Sequence, residues 1–403
     1  MKPLEGIKVL ELATVVAAPT AGRVMSDFGA EVIKIETLAG DELRRAGANF
    51  NLYIKDECNP MFTMSNSNKK IIPVNMKSEK GQEIVHKLLA EADVVISNIR
   101  MASLKRLGLD YDSIREKYPK IIYAHFSGYG LDGPDGNTAG FDMTAFWLRN
   151  GPITDWKEQG TFPMHPGYAF GDVATSNALL SGILLGLLGR EKTGEGTFLK
   201  VSLMGTGIWC NYTDIISSQD PFNRDKTHDK YHQVQPFDAL YECADQRYIG
   251  IFCNEYKKDR DRYAKIFGIE EIIDDPRYES VASLRETGAL RECIDKVSAV
   301  MKTKTAFEWA DILKKNNFSV GVAATADEVS KDPQAIANNF VEEVTFGDDT
   351  KVMMPTPPIQ FSNYERFKTT PTKAMGSFTD EILENLGYGA DEISGMKEEG
   401  IVK

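Results

Sequence analysis

Apolar and polar positions alternate in GIKVLEL, take helical spacing over Pro19–Phe28, and alternate again in GAEVIKIE. The pattern predicts strand, helix, strand: a βαβ unit with a parallel pair and a right-handed crossover. The same rhythm continues. Lys80–Ala92 is amphipathic, DVVISN is a short apolar run, Leu104–Tyr118 has helical spacing, and KIIYAHFSGYG ends a strand pattern in a glycine-rich loop. Such alternation predicts a doubly wound α/β domain. FGDVATSNALLSGILLGLLG (Phe170–Gly189) predicts a long apolar helix, and REKTGEGTFLKVSLM its end, a turn and another strand.

Beyond this point the pattern changes. SSQDPFNRDKTHDKYHQV is polar and irregular, ALYECADQRYIGIFC predicts a strand pair, and charged amphipathic stretches follow. A second irregular stretch, TADEVSKDPQAIANNF, leads into strand-like VEEVTF, Pro-rich MMPTPPIQF and two short amphipathic helices in TDEILENLGYGADEISGMKEEGIV. The expected layout is a large domain over 1–216, a linker over 217–235, a small α+β domain over 236–323, a linker over 324–345 and a return to the large domain over 346–403. A chain of 403 residues exceeds what one core usually supports, which agrees with two domains.

Composition narrows the function. The net charge of −12 disfavours nucleic acid, which needs a basic face, but leaves room for a small anionic ligand at a local basic cluster. Five dispersed cysteines without a C-x-x-C pair, and an N-terminus that runs straight into a strand pattern, predict free thiols in a cytoplasmic protein. The longest apolar run, Ala178–Leu188, is too short to cross a bilayer and is broken by Ser181, Gly182 and Gly186, so a buried helix and no membrane partner are expected.

Several motifs fail their own chemistry. The first loop, LATVVAAPTAG, lacks the G-x-G-x-x-G that brings backbone against a pyrophosphate, although Glu36 ends the second strand as a ribose ligand would. This counts against a nicotinamide-dependent oxidoreductase, the reading from a different functional class. Gly189–Thr197 lacks the terminal G-K-[ST] of a phosphate loop. His228 and His232 have i, i+4 spacing without the glutamate that would make a zinc site, so no metal is expected. No G-x-S-x-G occurs. Asp172 remains. It reads first as a helix N-cap, flanked by Gly171 and Ala174, which leave room for something to approach. The helix N-terminus favours its ionised form, and an ionised, accessible carboxylate is a nucleophile.

LEGIKVLEL with AAP, GAEVIKIE with GDELR, SNSNKK with NMKSEKG, ADVVISN with LKRLGL, FGDVATS, KTGEGTFLKVSL, ECADQRYIGI, SKDPQA and TDEILENLGY occur in this order. In this ordered set the chain resembles the class III coenzyme A transferases, the formyl-CoA transferase or CaiB/BaiF family. The resemblance implies a Rossmann-like large domain, a ring-shaped subunit and an interlocked homodimer. It gives Asp172 the role of nucleophile towards an acyl-CoA, with coenzyme A as substrate and no prosthetic group. It places Asn98 and Arg106 at CoA-contacting positions, Lys77 and Arg44 near the nucleotide phosphates, and Asp142 close to the thioester; Arg100 is nearby and basic. Val16 and Thr37 stand where formyl-CoA transferases carry glutamine and arginine, and no glycine-rich loop lies around Ile251–Lys258, so oxalate and formate are poor substrates to expect. AGFDMTAFWLRNG with FLKVSLM instead resembles the 2-hydroxyacyl-CoA transferases of amino-acid-fermenting anaerobes. Val15, Val16, Phe141, Phe146 and Trp147 would suit a branched or aromatic acyl chain. An acyl-CoA racemase of the same fold is the nearer alternative. It needs a histidine where this chain has Phe141, and His125 on the preceding strand does not fall there.

Overall fold

The computed structural model describes residues 2–47, 52, 54, 55, 58–225 and 227–403; Lys226, inside the stretch read as a linker, lies outside them. Two compact units are present. The larger comprises Met1–Ile153, His165–Arg224 and Asp332–Lys403, and the smaller Thr154–Met164 and Asp225–Lys331. The smaller unit thus takes in 154–164, a stretch whose sequence pattern carried no signal of a domain change.

In the large unit, β1 (Lys8–Leu12), α1 (Ala17–Asp27), β2 (Glu31–Glu36), α2 (Pro60–Asn66), β3 (Lys70–Pro73), α3 (Glu79–Glu91), β4 (Val94–Ser97), α4 (Met101–Leu107), α5 (Tyr111–Ile114) and β5 (Ile122–Ser127) follow in order. A π-helical turn, Asp142–Trp147, and α6 (Pro152–Asp155) precede α7 (Phe170–Thr193), β6 (Thr197–Ser202), α8 (Leu203–Cys210) and α9 (Tyr212–Ser217). The six strands form one sheet in the order β3-β2-β1-β4-β5-β6, all parallel. The order reverses between β1 and β4. In open parallel sheets, ligands bind beyond the carboxyl ends of the strands at that point.

Both faces of the sheet are covered. Val9, Val94, Ile96 and Ile122 pack with Ala18 and Ala21 of α1 and Leu179 and Ile183 of α7. Leu10, Ile72, Val95 and Tyr123 pack on the other face with Ile84 and Leu88 of α3. Beyond the exposed Lys8 and Glu31 at the strand starts, the polar positions of β1 and β2 are therefore buried too, and they pair internally. Glu11 meets Lys69 at 2.7 Å and Lys34 at 3.3 Å, and Lys34 meets Asp41 at 2.8 Å, all four side chains being sealed from solvent. Burial opposes the Lys34 charge, but Glu11 and Asp41 outweigh it and hold its pKa above the ordinary value. Lys69, which burial dominates, drops to about 8.

The small unit has an antiparallel sheet, β7 (Ala239–Glu242), β8 (Tyr248–Phe252) and β9 (Ser319–Val322), with α10 (Tyr256–Phe267), α11 (Val281–Thr287), α12 (Ala289–Met301), α13 (Ala306–Lys315) and α14 (Ala326–Val329). Its own core runs through Phe237, Tyr263, Phe267, Ile294, Trp309 and Leu313. After α15 (Pro333–Ala337), the hairpin β10 (Val341–Thr345) and β11 (Lys351–Pro355), then α16 (Thr379–Asn385) and α17 (Ala390–Glu398), belong to the large unit.

Three local expectations change. Leu104–Tyr118 is two short helices, because Gly108 ends α4 in the left-handed conformation. The Pro-rich MMPTPPIQF begins as the end of β11, a strand its composition did not announce. The apolar helix is not limited to its apolar run: α7 has 24 residues and is long and apolar enough to cross a membrane by those measures alone. Its buried positions (Gly171, Thr175, Ser176, Leu179, Leu180, Ile183 and Leu187) keep one face in the core of the large unit. All five cysteines are unbonded.

Candidate active site

A cleft of about 300 Å³ opens beyond the carboxyl ends of β1, β4 and β5. Thr14–Ala17, Asn98–Met101 without Ile99, His125–Gly128, the 136–141 strand-to-turn loop and Asp172 line it. It occupies the switch point that the strand order predicts, at the small end of the volumes usual for such sites.

Asp172 is the carboxylate in its wall. The side chain is half-buried in the first turn of α7. It is not the N-cap the sequence suggested: that position is Ala169, in the left-handed conformation and without a side-chain cap. The capping acceptor comes from elsewhere. The Asp172 backbone N–H donates to Oδ1 of Asp142 at 3.1 Å, and the backbone N–H groups of Gly171 and Ala169 face the same carboxylate. A Cβ on Gly171 would lie 2.4 Å from Asp142 Oδ1 and 2.3 Å from Phe146, so glycine is required for the helix to dock there. The space beside Gly171 therefore holds the π-helical turn, not a ligand.

This geometry reverses the expected electrostatics. Burial, and then the neighbouring Asp142 charge, push Asp172 up to about 7. The helix N-terminus is worth roughly 0.3–1 kcal/mol to the anion and is outweighed. Burial likewise raises Asp142, against the hydrogen bonds it accepts. A carboxylate poised near neutrality is half ionised in its resting state and sparingly solvated, a combination suited to nucleophilic attack.

The floor of the cleft is the β1–α1 loop. Val15 there has φ 68°, a conformation that β-branched residues rarely adopt and that costs about 1–3 kcal/mol. Asp41 holds it, both carboxylate oxygens lying 3.1 Å from the Val15 N–H, and the buried Lys34 anchors Asp41 from behind. Asn98 fixes the same loop, accepting from the Thr14 N–H at 3.0 Å and donating to its carbonyl at 2.8 Å. At the far wall, Gly128 and Gly140 cross so closely that a Cβ on either would sit within 2.7 Å of the other's Cα. That crossing folds the intervening loop back over the cleft.

The remaining sequence-derived residues distribute unevenly. Asn98, Val16 and Phe141 line the cleft. Trp147 is buried in the core against Phe146 and Phe170 and is not part of the cleft lining. Arg44 is paired with buried Glu36 at 2.9 Å and stacked over Phe62. Lys77 is exposed just beyond β3, and Arg106 is exposed on α4, donating to Ser103. Arg100, at the N-cap of α4, is the basic residue in the cleft lining. Sequence reasoning missed Asp41 and the strain at Val15. The only signal for either was an aspartate after a glycine in GDELR, which carries no orientation by itself. Among the described residues, no cluster of histidine, cysteine and carboxylate side chains could hold a metal ion.

Comparison with known proteins finds similarity along nearly the whole chain. It is 34% identical over 400 residues to the (R)-2-hydroxy-4-methylpentanoate CoA-transferase of Clostridioides difficile, covering 99% of both chains. It is 33% identical to the cinnamoyl-CoA:phenyllactate CoA-transferase of Clostridium sporogenes, covering 98% of this chain and 96% of that one. A CAIB/BAIF family protein of Brucella suis superposes with a TM-score of 0.80 at 26% identity, over 96% of this chain and 99% of the other. Residues 4–373 match the family described as CoA-transferase family III. A half-buried carboxylate on a helix end, at the switch point of a doubly wound sheet, thus lies within the 4–373 match, and the chain belongs to CoA-transferase family III.

Proposed function

We propose that this CoA-transferase moves coenzyme A from an acyl-CoA donor to a 2-hydroxy acid with a branched or aromatic side chain, using Asp172 as the covalent carrier. The observation that carries the reading is the Asp172 carboxylate, half-buried in the cleft wall and raised to about 7. Asp172 attacks the thioester carbonyl, the C–S bond breaks, and a mixed anhydride and CoA thiolate result. The thiolate then attacks the aspartyl carbonyl, expelling the donor carboxylate and leaving an aspartyl-CoA thioester. The acceptor carboxylate attacks that carbonyl and displaces the thiolate, giving a second anhydride. Thiolate attack on the acceptor's own carbonyl releases the new acyl-CoA and restores Asp172. Holding the thiolate beside the anhydride replaces a bimolecular encounter by an effectively unimolecular one.

Val15, Val16, Met101, Leu131 and Phe141 make the lining apolar enough for a branched or aryl chain. The two relatives named for 2-hydroxy-4-methylpentanoate and phenyllactate support that acyl class. The cleft volume suits the acyl group and the thiol end of CoA, with the nucleotide outside. Arg100 at the cleft, and Lys77, Arg106 and Arg44 around it, are the proposed electrostatic partners of the phosphates; Asn98 and Asp142 shape the thioester end. A homodimer is part of the proposal. It is supported by Leu185 (69% exposed) and Leu188 on α7 and Trp209 (78% exposed) on α8, large apolar side chains facing outward on packed helices.

The test is a substrate panel: isocaproyl- and cinnamoyl-CoA with a set of 2-hydroxy acids, the new thioesters being followed by mass spectrometry. Asp172→Asn and Asp172→Ala should fold and lose at least 10³-fold in transfer, and hydroxylamine should inactivate the parent only when an acyl-CoA is present. Transfer at the parental rate by either variant would remove Asp172 from the mechanism.

A further inference from the structure

One buried polar group in the cleft has no partner. His125, at the carboxyl end of β5, is 2% exposed and lines the cleft together with Asp172. Its Nδ1 is sealed from solvent and makes no hydrogen bond. The other polar side chains deep in the wall are committed: Asn98 to both backbone groups of Thr14, and Ser127 to the Gly130 N–H. No hydrogen bond from the protein reaches either ring nitrogen, and of the two only the one turned to the cleft can be satisfied by what a ligand brings.

The chemistry of the ring says what that is. With Nδ1 sealed, the ring meets the cleft through its other edge, which carries Nε2. A proton on Nδ1 would be an orphaned buried donor, so the tautomer with the proton on Nε2 is preferred. Burial also lowers the imidazole to about 4, which leaves it uncharged at neutral pH. The cleft therefore receives one neutral N–H donor beside the apolar side chains of Val15, Val16, Phe126 and Phe141.

We propose that His125 is a specificity-determining residue that reads the oxygen at C2 of the acceptor acid, its Nε2–H donating to the 2-hydroxyl. This rests on the CoA-transfer reading above. A site built around such a donor rejects the analogue lacking the oxygen, because the donor is then left buried and unpaired.

The experiment compares 2-hydroxy-4-methylpentanoate with 4-methylpentanoate as acceptors, at a fixed acyl-CoA donor, in the parent and in His125→Phe, His125→Leu and His125→Gln. The readout is the ratio of kcat/KM for the two acids. The parent should favour the hydroxylated acid, either apolar variant should lower the ratio at least tenfold, and His125→Gln, which retains an N–H donor, should recover most of it. Having two apolar variants keeps the comparison open if one fails to fold. A parental ratio near one, or equal losses for both acids in the variants, would overturn the assignment while leaving CoA transfer intact. A parent that showed no acyl-CoA-dependent inactivation by hydroxylamine would overturn the reading beneath it.

Discussion

Two carboxylates on neighbouring turns divide the labour at the residue scale. Asp142 accepts the N–H groups that open α7, and its charge helps keep Asp172 protonated to about pH 7. In the proposed mechanism the ionised form attacks, so kcat/KM should rise with pH through an apparent pKa near 7 and then level off. Asp142→Asn keeps an oxygen for the cap and removes the repelling charge. Its inflection should move to lower pH, since burial alone then opposes the Asp172 charge. A pH–rate profile of the two proteins measures this, and an unmoved or raised inflection would count against the coupling. The candidate nucleophile was legible in FGDVATS, but its protonation was not. The helix-end argument favoured the anion, whereas Asp142, 30 residues earlier in the chain, acts on it only through the fold.

Elements set the positions of these groups. The π-helical turn Asp142–Trp147 docks on the start of α7 at Gly171, and nothing larger fits. Gly171→Ala must displace Phe146 or the helix end, costing about 1–3 kcal/mol by the usual scale of overpacking and pulling Asp172 out of register. Urea unfolding should show the loss of stability, and kcat should fall more than KM rises. The strands were legible because their apolar period is regular. What alternation concealed is that GIKVLEL and GAEVIKIE turn a polar residue to water only where each strand begins, at Lys8 and Glu31. Glu11 and Lys34 lie inside, neutralising each other and bracing Asp41 under the strained Val15. A period of two reports the geometry of a strand, not which of its faces is wet. The π-helical turn left no periodic signal for the same reason that Leu104–Tyr118 read as one helix: both depend on a single local conformation that composition does not encode.

At the scale of the whole molecule, the large unit alone contains every residue of the cleft. The open apolar side of α7 and α8 is the feature that one chain leaves unused. Leu185→Glu combined with Trp209→Glu should convert the proposed dimer to a monomer, which sedimentation equilibrium would show as a halved mass. An unchanged mass would place the association, if any, elsewhere.

The cap shared by Asp142 and Asp172 also bears on the reaction's intermediates. In the proposed mechanism, converting Asp172 to the mixed anhydride or the CoA thioester erases one of two charges held side by side, and the turn that supports the helix loses its antagonist. The covalent adduct is then the more relaxed form of the fold and the free enzyme the more strained, increasingly so as alkali strips the last proton. Trapped adduct should consequently melt at a higher temperature than apoenzyme at pH 8, with the gap closing towards pH 5, a trend that scanning calorimetry would resolve.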